Sequence, residues 1–252
     1  MSSAPLEAAV EARPEELARP SMHLRTTLAL VLVWPLLLLL PCLCGARVFL
    51  PYDLAQYPPS SFQRTAAELA AMRAESNYDV TETPIWFVPE LQRASRTIFA
   101  EGSLPNWNPT ARTGTALLPH GHDAIWYPFT WPALLLDDPS RWLAWLAFLN
   151  LAAAGIGMLG FLRAQRLHPA AAVLGAIAFS LSTTLLANAH NFPRLSSLVW
   201  LPSMLWALRT AADSEGRTRT RALCGFAVAF ALTFLGGFPP YALPCAVLAM
   251  VY

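Results

Sequence analysis

The chain alternates between long apolar runs and polar stretches that carry most of its charges. The first run, residues 26–44, contains nineteen uncharged residues, of which nine are leucine. At about −0.5 kcal/mol per leucine, these nine residues favour insertion into a bilayer by roughly 4–5 kcal/mol. The pattern predicts a first transmembrane helix at residues 26–45, preceded by a polar tail at residues 1–25. A cleaved signal peptide is the alternative interpretation of the same run.

Apolar runs return in the second half of the chain. They predict transmembrane helices two to five and the start of a sixth within residues 142–252, because a helix of about 20 apolar residues crosses a bilayer. The fourth of these spans has a short apolar core with Pro202 in its middle. The sequence stops inside apolar residues, which favours a fragment of a longer chain. The runs cover residues 142–162, 170–189, 195–212, 222–238 and 242 onward.

Residues 46–141 form one long polar interval between the first two predicted spans. Connections of this length are usually functional or disordered, and the aromatic and proline residues of this one favour an ordered domain. Residues 61–75 predict a short Ala-rich helix. Residues 84–100 predict a second helix, with Thr83 as its cap and Pro84 in its first turn.

The predicted helix at residues 84–100 is amphipathic. Its apolar side would face either a bilayer surface or the interior of the loop domain, and the pattern leaves both open. The residues assigned to the apolar side are Ile85, Val88, Leu91, Ser95, Ile98 and Phe99. The charged residues assigned elsewhere are Glu90, Arg93, Arg96 and Glu101.

Arginines indicate the orientation of the chain in the membrane. If residues 1–25 are cytoplasmic, the short inside segments hold nine arginines and the short outside segments hold Arg194 alone. Basic residues favour the cytoplasmic side of short connections, whereas loops longer than about 60 residues are exempt. The N-terminus is therefore predicted to be cytoplasmic and residues 46–141 to face outward.

Composition narrows the functional classes. Hydrophobic residues make up 55% of the chain and charged residues 13%, which is too apolar for an ordinary soluble domain. A formal net charge of +1 gives no indication of a nucleic-acid partner. The four cysteines lie in or beside apolar runs, which argues against a disulfide framework or a zinc site. The partner that composition predicts is the lipid bilayer.

Two groups of polar residues outside the spans suggest ligands. His120, His122 and Asp123 are a weak candidate for a divalent metal site, and ordinary surface histidines are the alternative. His190 and Arg194 lie at the outer end of a predicted helix, where Arg194 would pair with phosphate oxygens through charge-assisted hydrogen bonds. A plain polar cap at the membrane interface is the alternative for the second group.

The order of elements in the loop resembles that of a known family. Asp79 is followed by the amphipathic stretch 84–100 and then, at residues 102–109, by Gly-Ser-Leu-Pro-Asn-Trp-Asn-Pro. This order resembles the bacterial YfhO family, among the GT-C membrane glycosyltransferases. Thr83 departs from the family, which often has Gln at that position, and Phe-Pro-Pro at 238–240 stands where it has a turn similar to His-Pro-Gln. Further matches in order are Tyr127-Pro128, His190, Trp200-Leu-Pro202 and Gly236-Gly-Phe-Pro-Pro240.

The resemblance implies an enzyme of the bacterial inner membrane with GT-C-like helices and a large helical first outer loop. Such an enzyme transfers a sugar from a polyprenyl-phosphate donor to an acceptor outside the cytoplasm. The chemistry needs a carboxylate that takes the proton of the attacking hydroxyl, and Asp79 is the candidate base, with Asp53 as its rival. No cofactor is assigned, and a divalent metal stays open. The candidate substrate-binding residues are Glu82, Trp107, Asn108, His190 and Arg194, and a solvated side chain is the alternative for Glu82.

Two other functional classes stay open. A non-catalytic scaffold would use the aromatic, Pro-rich outer loop to bind a partner or a glycan. A lipid or glycan transporter is disfavoured in its proton-coupled form, because the centres of the predicted spans hold almost no ionisable residues. Substitution of the carboxylate separates the enzyme from the scaffold, because a scaffold tolerates that change.

Overall fold

The computed structural model describes residues 23–50, 60–74, 82–109, 113–117, 122 and 124–252. Within this part of the chain, four helices are long and apolar enough to cross a membrane. Helices dominate the described residues, and the coarse prediction of an all-α membrane protein is confirmed. The four helices are Leu24–Leu43, Pro139–Ala164, Pro169–Ala187 and Gly216–Leu235.

The helix α5 (Leu143–Ala164) lies at the centre of the bundle. It packs against α1 (Leu24–Leu43) on one side and against the helices of the third and fourth predicted spans on the others. Its glycines allow this packing: a Cβ at Gly155 would lie 2.7 Å from the Val31 side chain of α1, and one at Gly160 would lie 2.4 Å from the indole of Trp206. Small residues let membrane helices approach closely, because lipid supplies no hydrophobic force between them.

The third and fourth predicted spans are each broken into two helices. The third comprises α6 (Pro169–Ser180) and α7 (Thr183–Ala187), and the fourth comprises α8 (Phe192–Leu198) and α9 (Leu201–Ala212). In the fourth span the break comes just before Pro202, which is the second residue of α9. Pro202 has no N–H, so it cannot donate to the carbonyl four residues earlier, and its ring clashes there.

The last two helices complete the bundle. The helix α10 (Gly216–Leu235) packs along α9, and α11 (Pro239–Val251) contacts α8, α9 and α10. The helix α11 corresponds to the predicted start of a sixth span. At 13 residues it is shorter than the length that crosses a bilayer.

Short elements form the described part of the long loop. A π-helical turn, Thr83–Phe87, continues into α3 (Val88–Phe99), and the strands β1 (Trp107–Asn108) and β2 (Thr115–Ala116) pair in antiparallel fashion. The hydroxyl of Ser95 on α3 donates to the carbonyl of Leu134 at 2.7 Å, which ties α3 to the next helix. The remaining elements are the 3₁₀ turns Ser60–Gln63, Pro128–Thr130 and Pro139–Trp142 and the helices α2 (Ala66–Ala74) and α4 (Trp131–Leu134).

The buried side of α3 matches the predicted apolar side only in part. Val88 and Leu91 are buried as predicted, but Ile85 and Phe99 are 51% and 60% exposed, and Glu90, which was assigned elsewhere, is only 4% exposed. Two physical reasons account for the difference. The π-helical turn adds a residue before α3 and so rotates the face that follows, and Asn108 supplies hydrogen bonds to the buried carboxylate.

One hydrophobic core joins the loop to the bundle. It includes Leu91 of α3, Tyr127, Leu146 of α5 and Phe192 of α8. Of the two alternatives for α3, the structure therefore shows packing inside the protein. We call the end of the bundle that carries this loop, with the turns 188–191 and 236–238, the loop end, and the opposite end, with the turn 213–215, the arginine end.

Candidate functional site

Glu82 joins the loop to the turn between α7 and α8. Its Oε1 accepts a hydrogen bond from Nη2 of Arg194 at 3.2 Å, and its Oε2 accepts one from the Asn191 side-chain amide. The hydroxyl of the adjacent Thr83 donates to the backbone carbonyl of His190. The sequence predicts Thr83 as the cap of this helix. The structure shows no capping hydrogen bond from its side chain, which binds the α7–α8 turn instead. We call Glu82, Thr83, His190, Asn191 and Arg194 the Glu82 cluster.

The start of α8 explains why an arginine here needs a carboxylate. Asn191 immediately precedes α8, and Arg194 lies in its first turn. The N-terminus of a helix carries a partial positive charge, so a cation is unfavourable there and an anion is favourable. Glu82, which comes from a separate segment of the chain, supplies a negative charge. That charge offsets the unfavourable placement of the Arg194 cation at the start of a helix.

The turn between α10 and α11 forms a further wall of the cluster. The ring centroid of Phe238 lies 5.1 Å from Cζ of Arg194, which is within the range of a cation–π contact. The backbone N–H of Phe238 donates to the hydroxyl of Ser197 on α8 at 3.1 Å. The ring of His122 meets the ring of Phe238 edge to face at 5.8 Å. Three separated segments of the chain thus surround one guanidinium.

The Glu82 cluster has polar atoms left over for a ligand. Oδ1 of Asn191, a residue only 4% exposed, and Nε of Arg194 are buried and have no hydrogen-bond partner among the described residues. A buried polar atom without a partner costs about 1–3 kcal/mol, so such atoms mark a place where something else can bind. The side chains of Arg194 and Glu82 are 35% and 42% exposed, which leaves the cluster accessible.

The electrostatics of the cluster favour a neutral histidine beside a fixed cation. Burial lowers the pKa of His190, and the positive charge of Arg194 lowers it further. Both effects disfavour the imidazolium, because one removes solvent and the other repels a second positive charge. A ligand at this site therefore meets one guanidinium, one carboxylate and one uncharged imidazole.

A second polar centre lies deeper, where the loop enters the bundle. The fully buried Tyr127 donates its hydroxyl to Oδ1 of Asn150 on α5 at 2.6 Å and accepts a hydrogen bond from Nε1 of Trp200 at 3.1 Å. The amide of Asn150 donates to the Leu146 carbonyl at 2.8 Å. Burial raises the pKa of Tyr127, so the phenol stays neutral. We call Tyr127, Asn150 and Trp200 the Tyr127 centre.

The structure brings together only some of the predicted site residues. Glu82, His190 and Arg194 meet in the Glu82 cluster. The indole of Trp107, 55% exposed on β1, instead lies over Gly114, where a Cβ would approach it to 2.4 Å. The candidate bases and two of the three metal candidates lie outside the described residues; these are Asp53, Asp79, His120 and Asp123.

Asn108 has a role that the sequence did not reveal. Its side-chain amide donates to both carboxylate oxygens of Glu90, at 3.0 and 2.9 Å, and both residues are at least 95% buried. The predicted substrate-binding asparagine thus lies against a buried carboxylate on α3. The only signal in the sequence is a glutamate within an apolar, amphipathic helix, and nothing in its spacing points to an asparagine 18 residues later.

The described residues include no group of three or more His, Cys, Asp or Glu side chains that could hold a metal ion. Among the predicted metal ligands, the structure places His122, whose ring contacts Phe238. The predicted metal site therefore stays a prediction.

No family model, curated protein or solved structure matches this chain. The family resemblance seen in the loop motifs therefore stays a prediction, and function has to be inferred from the residues of the chain itself.

Proposed function

We propose that the chain belongs to a membrane glycosyltransferase of the GT-C type, which transfers a sugar from a polyprenyl-phosphate donor to an acceptor outside the cytoplasm. The loop end would face outward from a bacterial inner membrane, and the N-terminus would be cytoplasmic. The nine-to-one division of arginines between the two sets of short segments supports this orientation. Four helices suited to crossing a membrane support the setting.

The Glu82 cluster is the observation that carries the proposal. It joins the segment that follows Asp79 to the α7–α8 turn, beside the α10–α11 turn, and it has unused polar atoms. Asp79 precedes Glu82 by three positions in the sequence.

The residues of this region match the demands of sugar transfer. The acceptor oxygen forms a bond to the anomeric carbon, its proton passes to the carboxylate of Asp79, and the bond from the anomeric carbon to the donor phosphate oxygen breaks. The leaving polyprenyl phosphate takes the electron pair and gains negative charge. Arg194 would stabilise that charge, since a positioned cation acts most strongly where charge develops. Glu82, which accepts a hydrogen bond from Asn191, would hold the guanidinium in place.

Substitution of the candidate base tests the proposal. In membranes that contain the full-length protein, Asp79→Asn should reduce sugar transfer from a polyprenyl-phosphate donor by about 10²–10⁴-fold, or roughly 3–5 kcal/mol of barrier. Asparagine keeps the size of the side chain but cannot accept the proton. Amounts of inserted protein should stay equal, because even the loss of a helix-capping carboxylate would cost only about 0.5–2 kcal/mol of stability.

Asp53→Asn is the matched control. If Asp53→Asn stops transfer while Asp79→Asn remains active, the base lies nearer to the first span. Wild-type transfer by both variants would contradict the enzyme proposal and would favour a scaffold whose outer loop binds a partner or glycan.

A further inference from the structure

We propose that the groove between α9 and α10 binds one acyl chain of an anionic phospholipid, whose phosphate pairs with Arg221. The groove has a volume of about 460 Å³ and an almost entirely apolar lining. Its lining includes no residue of the Glu82 cluster, and the proposal does not depend on sugar transfer. Its principal lining residues are Trp200, Trp206, Thr210, Arg221, Gly225 and Val228.

The groove is open because a glycine faces it. A Cβ added at Gly225 would meet nothing within 4 Å, in contrast to Gly160 of α5, where it would meet the Trp206 ring at 2.4 Å. The Trp206 ring therefore lies between the groove and α5. Val228, 60% exposed, lies on its edge. From Arg221 to Val228 the helix rises by roughly 10 Å at 1.5 Å per residue, so the groove is elongated along the membrane normal and suits an extended hydrocarbon chain.

Charge is confined to one end of the groove. Arg221 is its charged lining residue, and Thr210 and Thr218 add hydroxyl groups at the same end. Arg221 has no acidic partner within 4.0 Å among the described residues, whereas Arg209 pairs with Asp213 at 3.0 Å. Residues 209–221 hold four arginines against two acidic residues. An unpaired guanidinium above an apolar groove is complementary to a lipid phosphate above its acyl chain.

The groove is also accessible from the side of the bundle, which is the direction from which a membrane lipid enters. The buried residues of α10 are Ala229 and Thr233, so most of the helix is exposed laterally. Basic pockets between transmembrane helices on the cytoplasmic side bind the headgroups of anionic lipids. The arginine end is the cytoplasmic end in the orientation proposed above, so the lipid would come from the cytoplasmic leaflet.

Native mass spectrometry of the purified full-length protein tests the proposal with two lipids, phosphatidylglycerol and phosphatidylcholine, of the same acyl composition. Wild-type protein should bind one phosphatidylglycerol in preference to phosphatidylcholine. Arg221→Gln should reduce that preference by about fivefold, the equivalent of about 1 kcal/mol for one basic residue near an anionic surface. Gly225→Leu should reduce the binding of both lipids, because its side chain fills the groove.

Two control variants separate the groove from general effects. Arg217→Gln removes a charge from the same helix at a residue that does not line the groove, and Ala227→Leu adds a side chain two residues from Gly225, about 200° around the helix. Both should bind lipid as the wild type does. Equal binding of the two lipids by wild type, full binding by Gly225→Leu, or a dimer that Gly225→Leu abolishes would overturn the proposal, the last because a second copy would then occupy the groove.

Discussion

The loop and the helix bundle meet at two polar centres that differ in how fully their hydrogen bonds are satisfied. In the Tyr127 centre, the tyrosine hydroxyl both donates and accepts, and the amide of Asn150 reaches the Leu146 carbonyl. In the Glu82 cluster, Asn191 and Arg194 each retain a buried atom that has no partner among the described residues. The Tyr127 centre is buried in the protein, and the Glu82 cluster is accessible to solvent.

This difference distinguishes a centre that anchors the loop to the bundle from a cluster that is able to bind a ligand. Buried polar groups stabilise a structure only when every member is paired, since an unpaired one costs more than a hydrogen bond contributes. The Tyr127 centre meets that condition, and Asn150 is the polar residue that would otherwise be unfavourable inside a membrane span. The Glu82 cluster does not meet it, although it also ties the loop to α8. Among the described residues Arg93 and Arg209 also have a buried Nε without a partner, so Oδ1 of Asn191 is the atom that distinguishes the cluster.

Between the two polar centres, the largest expected effect is on activity, at Arg194. Arg194→Gln should reduce the rate of sugar transfer by about 10²–10³-fold, because a positioned cation is lost where charge develops. The free energy of unfolding should change by less than about 1 kcal/mol, since the pair with Glu82 is partly exposed. Transfer rates and thermal unfolding of the purified full-length protein measure the two effects.

Arg209→Gln is the matched control for that substitution. Arg209 pairs with Asp213 at the arginine end at 3.0 Å, with side chains exposed by 34% and 39%, almost the values of the pair at the loop end. This variant should transfer sugar at the wild-type rate. Equal losses in the two variants would show that neither pair has a specific role and would remove the distinction between the two ends.

A smaller effect, on both stability and activity, is expected at Gly236. A Cβ there would lie 2.7 Å from backbone atoms of Ser196 and Ser197, so Gly236→Ala should push α8 away from the α10–α11 turn. Overpacking of this kind costs about 1–3 kcal/mol, and it moves Phe238 relative to Arg194. Gly225→Ala, at a position with open space, should not lower the unfolding temperature. Unchanged stability in Gly236→Ala would contradict the close contact.

The Tyr127 centre should affect stability alone, by about 1–2 kcal/mol. Tyr127→Phe leaves Oδ1 of Asn150 and Nε1 of Trp200 without the hydroxyl they share, and hydrogen bonds between membrane helices are worth about 0.6–2 kcal/mol each. Thermal unfolding of Tyr127→Phe, Asn150→Leu and the double variant measures the coupling. The double variant should lose less than the sum of the single losses; additive losses would show that the two residues act independently.

The sequence predicts well those features that depend on the summed contributions of neighbouring residues. The leucines of α1 favour insertion one by one, so its place in the chain follows from composition, even with Pro35 and Pro41 inside the helix. Contacts between distant residues were not predictable in the same way. The burial of Glu90 depends on Asn108, 18 residues later.

The candidate site shows the same limit. Glu82, His190 and Arg194 were each suggested by residue type and position, but their meeting joins residues about 110 positions apart. No periodicity encodes such a distance. Each residue was a candidate on its own, and only the packed structure shows that Glu82 binds Arg194.

The smallest expected effect is a pH dependence at His190. Its pKa in the folded protein is lowered, first by burial and then by Arg194, whereas an unfolded histidine titrates near its ordinary value of 6.5. Between the two values the unfolded chain binds more protons than the folded protein, so stability rises with pH in that window. The contribution is fully present above about pH 6.5 and is lost as the pH falls through the lowered pKa.

His190→Gln removes the titrating group while its backbone carbonyl can still accept the Thr83 hydroxyl. The fall in unfolding temperature between pH 7.5 and pH 5 should therefore be smaller in His190→Gln than in the wild type. Arg194→Gln should shrink the same fall by a lesser amount, because burial lowers the histidine pKa more than the guanidinium does. Identical pH profiles in His190→Gln and wild type would mean that the imidazole is not held neutral beside Arg194. Below about pH 6.5 a ligand at the Glu82 cluster would then meet two positive charges, and the cluster would have to be reconsidered as a stronger anion site at acidic pH.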